Sequence, residues 1–251
     1  MAIDTSFDFW QSCPRGGDPD QRCHGLRLCH QTIWGRALPD GRPISLVDRH
    51  PRGYLELQVD DSSLKLTSDS VVPTYERYKR AEAQRIREGI ASERLDKFAA
   101  ISGTIGGITL FPGYRVGTAN TINMQRGCDR AVCDRMDLTL ECIRLHYVGK
   151  PSPLAETLAL YPEFFSLFGD FDGYVEHFLF QDLIRGGRVA TFLPLDFSQS
   201  GMPQGPAEYE RFMDRSIAFV LGRNARIAAL QLSVRDDANV IACGERPCAL
   251  N

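Results

Sequence analysis

The chain has 251 residues, 43% of them hydrophobic and 24% charged, with a formal net charge of −3. Such a composition excludes global disorder, which needs few apolar residues and high net charge, and a chain of this length buries roughly 70–75% of its unfolded surface without staples. The mild negative charge leaves no bulk basic field for a nucleic-acid backbone, and no run approaches the roughly 20 apolar residues of a membrane helix.

The opening, Met1 to Trp10, has no basic start and no apolar stretch, so it does not read as a signal peptide. The expected location is cytoplasmic, with the eight cysteines as thiols before they are disulfides. Residues 11–53 carry turn chemistry at Pro14–Asp20 and Pro39–Pro43. Leu26, Leu28, Ile33 and Trp34 suggest one short helix there. We therefore expect residues 1–53 to form a loop-rich N-terminal wrap.

Residues 54–59 and 63–67 alternate apolar and polar around Asp60-Asp61-Ser62, which predicts a hairpin. Pro73-Thr74 then opens a predicted helix to about Ala100, with a break at Gly89. Ile101 to Phe111 reads as a buried strand ended by Pro112-Gly113. Further helices are predicted over 134–147, over 153–168 with a kink or boundary at Pro162, and over 170–184. Val189 to Pro194 reads as a strand, and 206–230 as a long amphipathic helix. Residues 233–251 are polar and expected to form a loose tail. Strands come early and helices late, without strict alternation. That order predicts one α+β domain over 1–251, a small mixed or antiparallel sheet packed by several helices.

Several motifs invite chemistry. Cys128 with Cys133 and Cys243 with Cys248 could close a zinc site, as could Cys23-His24 with Cys29-His30. Their four-residue gaps are loose for ligands, and small apolar niches account for scattered cysteines. Gly103, Gly106, Gly107 and Gly113 lie in the predicted strand and lack the GxxxxGK[ST] pattern, so they point to close backbone approach or a bulge. No motif calls for a metal or a cofactor.

The helix after Cys133 is the most informative. Asp137, Glu141 and Arg144 fall at i, i+4 and i+7 on one face, while Met136, Leu140, Ile143 and Tyr147 occupy another. Asn123, Gln125 and Arg126 precede it in an irregular segment. Together these suggest a polar pocket with arginine forks for an anion and a carboxylate as base. The plainer reading is a solvated face with a Glu141–Arg144 pair, a contribution of about 0.2–0.5 kcal/mol. Asp170, Tyr174, His177 and Gln181 form a second stripe. There His177 could be an acid–base group, but Phe171, Val175, Phe178 and Leu183 around it favour a place at the rim of the core.

The segments Thr104–Gly113, Thr121–Gly127 and Cys133–Arg144, with Gly173-Tyr174-Val175, Gln181-Asp182-Leu183, Arg223-Asn224 and the opening Asp4–Phe9, resemble a bacterial family of unknown function. The resemblance spans nearly the whole chain and implies one domain. It brings no activity, but it implies shared positions at Asn123, Arg126, Gly127, Asp134, Arg135, Asp137, Glu141, Arg144, Gln181 and Asp182. At His177 the family pattern looks aromatic, and most of the cysteines are not family features.

The functional expectation is therefore a small-ligand site in the 121–144 segment and the 170–182 helix. Glu141 or Asp137 would be the base. Asn123, Arg126, Arg135, Arg144, Tyr174, Gln181 and Asp182 would hold an anionic small molecule of nucleotide or phosphate-ester type, as in an enzyme of toxin or defence type. The alternative is a non-catalytic module that binds a protein partner through the 206–230 helix and the N-terminal region.

Overall fold

A computed structural model describes residues 3–11, 19–49, 54–76 and 81–233. Its centre is a four-stranded antiparallel sheet in the order β1-β2-β3-β4: β1 Ser45–Asp48, β2 Leu55–Val59, β3 Ser62–Ser70 and β4 Ile108–Pro112. The alternation in β2 works as read: Leu55, Leu57 and Val59 are buried, and Asp60 turns the hairpin at φ 50°. Strand β3 is long enough for two partners. Its first half pairs with β2, and its second half runs Leu66 to Ser70 opposite Pro112 to Ile108. That register sets Asp69 across from Thr109 and Thr67 across from Phe111, on one face of the sheet.

Helices α1 Pro19–Arg22 and α2 His24–Trp34 precede the sheet; α2 is the short helix expected from Leu26, Leu28, Ile33 and Trp34, and α1 adds a further turn before it. The helix predicted from Pro73 is two: α3 Ala81–Arg87 and α4 Ser92–Ser102. Residues 73–75 are not helical, with Tyr75 at φ 56°, and Gly89 makes the expected break at φ 77°. The predicted strand over 101–111 is shorter than its apolar run. Ile101 and Ser102 close α4, residues 105–107 form a 3-10 turn, and pairing starts at Ile108. An apolar run carries no period that separates these states.

Helices α5 Ile122–Cys128 and α6 Met136–Tyr147 follow. Pro162 separates two short helices, α7 Ala155–Leu158 and α8 Pro162–Ser166, and opens the second as its first residue. Helix α9 Phe171–His177 stops early, because Leu179 takes φ 58°, and only a 3-10 turn over 181–183 continues it. The strand read over 189–194 shrinks to β6 Arg188–Val189. It pairs with β5 Ile184–Arg185 across Gly186-Gly187, both at positive φ as a tight hairpin turn requires.

Helix α10 Pro206–Ser233 closes the molecule and buries Tyr209, Phe212, Phe219, Val220 and Ile227. Its Arg223 is fully buried. The guanidinium donates to the carbonyls of Phe178 (3.0 Å), Gly106 (2.9 Å) and Ile108 (2.8 Å) and lies against the rings of Trp34 and Phe180. Burial pushes its pKa down to about 9. The adjacent Asn224 accepts the Gly106 N–H at 2.8 Å and donates to Thr104 at 2.9 Å. A Cβ on Gly106 would meet the Asn224 side chain and the Val220 carbonyl, which is why this turn is glycine. One continuous hydrophobic cluster joins sheet and helices. Among the described residues, no helix is long and apolar enough to cross a membrane.

Candidate functional site: an acidic cleft backed by a buried arginine

Two arginines of the 121–144 segment, Arg126 and Arg135, point inward to the protein's own acceptors. Arg126 is fully buried over the Phe111 ring. It donates to Thr139 Oγ1 (2.8 Å), the Asp134 carbonyl (2.8 Å) and the Ser70 carbonyl (3.2 Å), and it pairs with the Asp69 carboxylate. Burial opposes its charge, but Asp69 and then Asp134, 3.6 Å away, outweigh that and raise its pKa. Arg135 forms a buried fork with Asp137 at 2.5 and 3.1 Å and donates to the Gly201 carbonyl at 2.8 Å. Asp137 also accepts the Phe192 N–H at 2.7 Å, so both of its oxygens are engaged.

The other expected site residues lie apart. Glu141 and Arg144 bind each other at 2.7 and 2.8 Å on a half-buried stretch of α6. Asn123 donates to the Ser68 carbonyl at 3.2 Å. Asp182 pairs with Arg226 at 2.6 Å, which holds its carboxyl below the usual range. Tyr174 is fully buried; its hydroxyl has no hydrogen-bond partner, and burial raises its pKa. Gln181 Oε1 is likewise buried and unpartnered. Arg126 thus serves Asp69, Thr139 and two carbonyls, while Glu141 and Arg144 serve each other.

His177 packs against Phe168, Phe178 and Trp34, and burial pushes its pKa down to about 3. It is a neutral core group. Among the described residues, no cluster of three or more His, Cys, Asp or Glu could hold a metal. Cys243 and Cys248 lie outside the described residues.

A cleft opens on the far side of the wall that Arg126 supports. It has a volume of about 400 Å³. The N-terminal segment lines it with Asp8, the stretch after β3 with Ser70 to Glu76, and α4 with Asp96, Ala99 and Ser102; Asp134 completes it. Arg126 holds Ser70 and Asp134 by their carbonyls, so it stands directly behind the cleft. The wall is strained and pinned. Tyr75, Cys133 and Asp134 all have positive φ without being glycine (56°, 47° and 64°). The Tyr75 hydroxyl donates to the Cys133 carbonyl at 3.2 Å, the Met136 N–H to the Val71 carbonyl at 3.1 Å, and the Tyr209 hydroxyl to the Thr74 carbonyl. Strain of this kind persists only where the surroundings over-determine it, and it clusters at functional sites.

Two polar groups on the lining have open bonding capacity. Ser102 is 4% exposed and its hydroxyl has no partner. Asp8 Oδ1 accepts the N–H groups of Trp10 and Gln11 at 2.9 and 3.0 Å, whereas its Oδ2 is buried and unpartnered. Carboxylates and a hydroxyl around such a volume can accept hydrogen bonds from a ligand, balance a positive charge, or take a proton.

The sequence pattern did not lead to Asp8, Glu76, Asp96 or Ser102. The available signal was the i, i+3, i+6 spacing of Asp96, Ala99 and Ser102 on one helix, together with Asp8 inside the opening motif.

Fold and site together define an α+β protein whose sheet and last helix brace an acidic surface cleft. The chain belongs to the family of unknown function DUF6994, whose model matches residues 3–227. No curated protein and no solved structure matches it.

Proposed function

We propose that this protein binds a small molecule in the cleft between the Asp8 segment, α4 and the Ser70–Glu76 stretch. The observation that carries the reading is the pairing of a built wall with open polar groups. Buried Arg126 fixes two of the lining carbonyls, while Ser102 and Asp8 offer unsatisfied acceptors on the same lining. Buried polar groups are normally satisfied, so an exposed cleft lined by unsatisfied ones favours a ligand that completes them. Arg126, Arg135 and Asp137 serve this site as its frame. An anion gripped directly by Arg126, Arg135 and Arg144 is not what we propose, because Asp69, Asp137 and Glu141 already neutralise those guanidiniums.

The test is a ligand-observed NMR screen of a set of common metabolites against the protein and against Ala99→Trp, which places an indole in the cleft. Thr74→Trp replaces it should that variant fail to fold. Hits that disappear in the blocked variant support the reading. Hits that survive the block, or no hits at all, overturn it.

A further inference from the structure

We infer that the cleft selects a positively charged ligand, an amine-bearing small molecule, over neutral and anionic ones; this rests on the cleft being a ligand site. The argument is the charge balance of the lining. Four carboxylates face it, from Asp8, Glu76, Asp96 and Asp134, and its described lining contains no lysine, arginine or histidine. One of the four is answered from behind, since Arg126 lies 3.6 Å from Asp134. Arg126 is itself shared with Asp69, so it does not extend a positive field into the cleft. Among the described residues, Asp8, Glu76 and Asp96 form no ion pair.

Elsewhere on the surface a number of carboxylates are paired. Asp40, Asp48, Asp60, Glu56, Asp182, Glu208, Glu210 and Asp214 all have a basic partner within 4.0 Å. Among the described residues, other exposed carboxylates, such as Asp61, Glu93, Asp172 and Asp196, are also without an ion pair, but they do not line this cleft. In the cleft three unpaired acids share one concave lining without a base, where low-dielectric walls focus the field and raise the local concentration of cations. Acidity alone does not make a site. The independent observation is Ser102, whose side chain is buried on the same lining with its hydroxyl unpartnered. A hydroxyl oxygen has lone pairs that can accept from an ammonium, and the neighbouring carboxylates add the charge-assisted bonds. An amine, with its donors and no acceptors, satisfies the Ser102 oxygen and Asp8 Oδ2 together. A phosphate or carboxylate could accept from the Ser102 hydroxyl but would leave Asp8 Oδ2 unsatisfied and would meet three like charges.

The probes are spermidine and glucosamine as amines, glucose as the neutral analogue of glucosamine, and AMP as the anion. Each is titrated against the full chain by thermal shift and by NMR at low and at physiological salt. The expected result is a rise of about 5 °C with a saturating amine, at least tenfold weaker binding of glucose than of glucosamine, and no shift with AMP. Raising the salt weakens the amine response. The double variant Glu76→Gln, Asp96→Asn melts as the parent does but loses at least tenfold in affinity for spermidine. Equal binding of glucose and glucosamine, or tighter binding of AMP, overturns the charge selection and leaves the cleft reading intact. Amine binding that survives both the double variant and Ala99→Trp also overturns it, since the site then lies elsewhere. If no probe binds while the metabolite screen still gives hits that Ala99→Trp removes, the amine class is wrong and the site is right; if that screen also gives none, both fail.

Discussion

Replacing Arg126 by Met tests whether this arginine is part of the frame. The substitution keeps the apolar stem over Phe111 and removes every bond to Thr139, Ser70, Asp134 and Asp69. Breaking a buried ion pair costs about 3–5 kcal/mol, because the remaining charge is left uncompensated. The Asp69 side chain keeps 17% exposure, so water answers part of that charge and the loss belongs at the lower end, about 3 kcal/mol. For a domain of this size that is a fall of roughly 6–12 °C in Tm. Urea unfolding followed by circular dichroism measures it, with Asp69→Asn and the double variant to complete a cycle. The double variant should recover at least about 1 kcal/mol relative to the sum of the singles, since no lone charge is left behind. An Arg126→Met protein within about 1 kcal/mol of the parent, with strictly additive costs, would refute the placement of Arg126 as a buried brace.

Glu141→Ala should cost less, about 1 kcal/mol in the same assay, since Arg144 keeps 27% exposure and water answers the charge left behind. Gly106→Ala should cost about 1–3 kcal/mol, because its Cβ would lie 2.5 Å from Asn224 Oδ1 and 2.6 Å from the Val220 carbonyl, inside α10 packing that cannot give way. Acid should destabilise the fold before the carboxylates titrate. Burial holds His30 and His177 neutral with pKa values of about 3, while the unfolded chain takes up those protons near 6.5. Their contribution is therefore complete above about pH 6.5 and declines as the pH falls toward 3, so the urea midpoint at pH 5 lies below that at pH 7, and His177→Phe narrows the gap.

Much of the fold was legible because it is local. The hairpin from Leu55 to Leu66 follows from alternation around Asp60, Gly89 punctuates two helices, and Pro162 opens α8. Two of the misread stretches share one physical cause. Tyr75 and Leu179 take left-handed backbone that no composition rule assigns to a tyrosine or a leucine. A tertiary bond runs from the Tyr75 hydroxyl to the Cys133 carbonyl, and Leu179 sits in the turn that ends α9, where the Phe180 N–H reaches the Val175 carbonyl. The candidate site was illegible for a related reason. Asp8, Glu76, Asp96 and Asp134 are scattered along the sequence, and no periodicity links them. Arg126, which drew attention instead, stands behind the cleft wall. A buried guanidinium and one that grips a ligand look alike in sequence, since both sit among carboxylates and small residues.

Arg223 has a consequence for the order of assembly. Three carbonyls from two distant stretches of chain wait for a single cation that the ribosome delivers with the last described helix. Until then the Gly106–Ile108 turn and the Phe178 carbonyl at the end of α9 have no common donor, and the aromatic walls of Trp34 and Phe180 enclose nothing. The nascent chain therefore lacks this tie through most of its synthesis, and the final helix supplies it as a keystone.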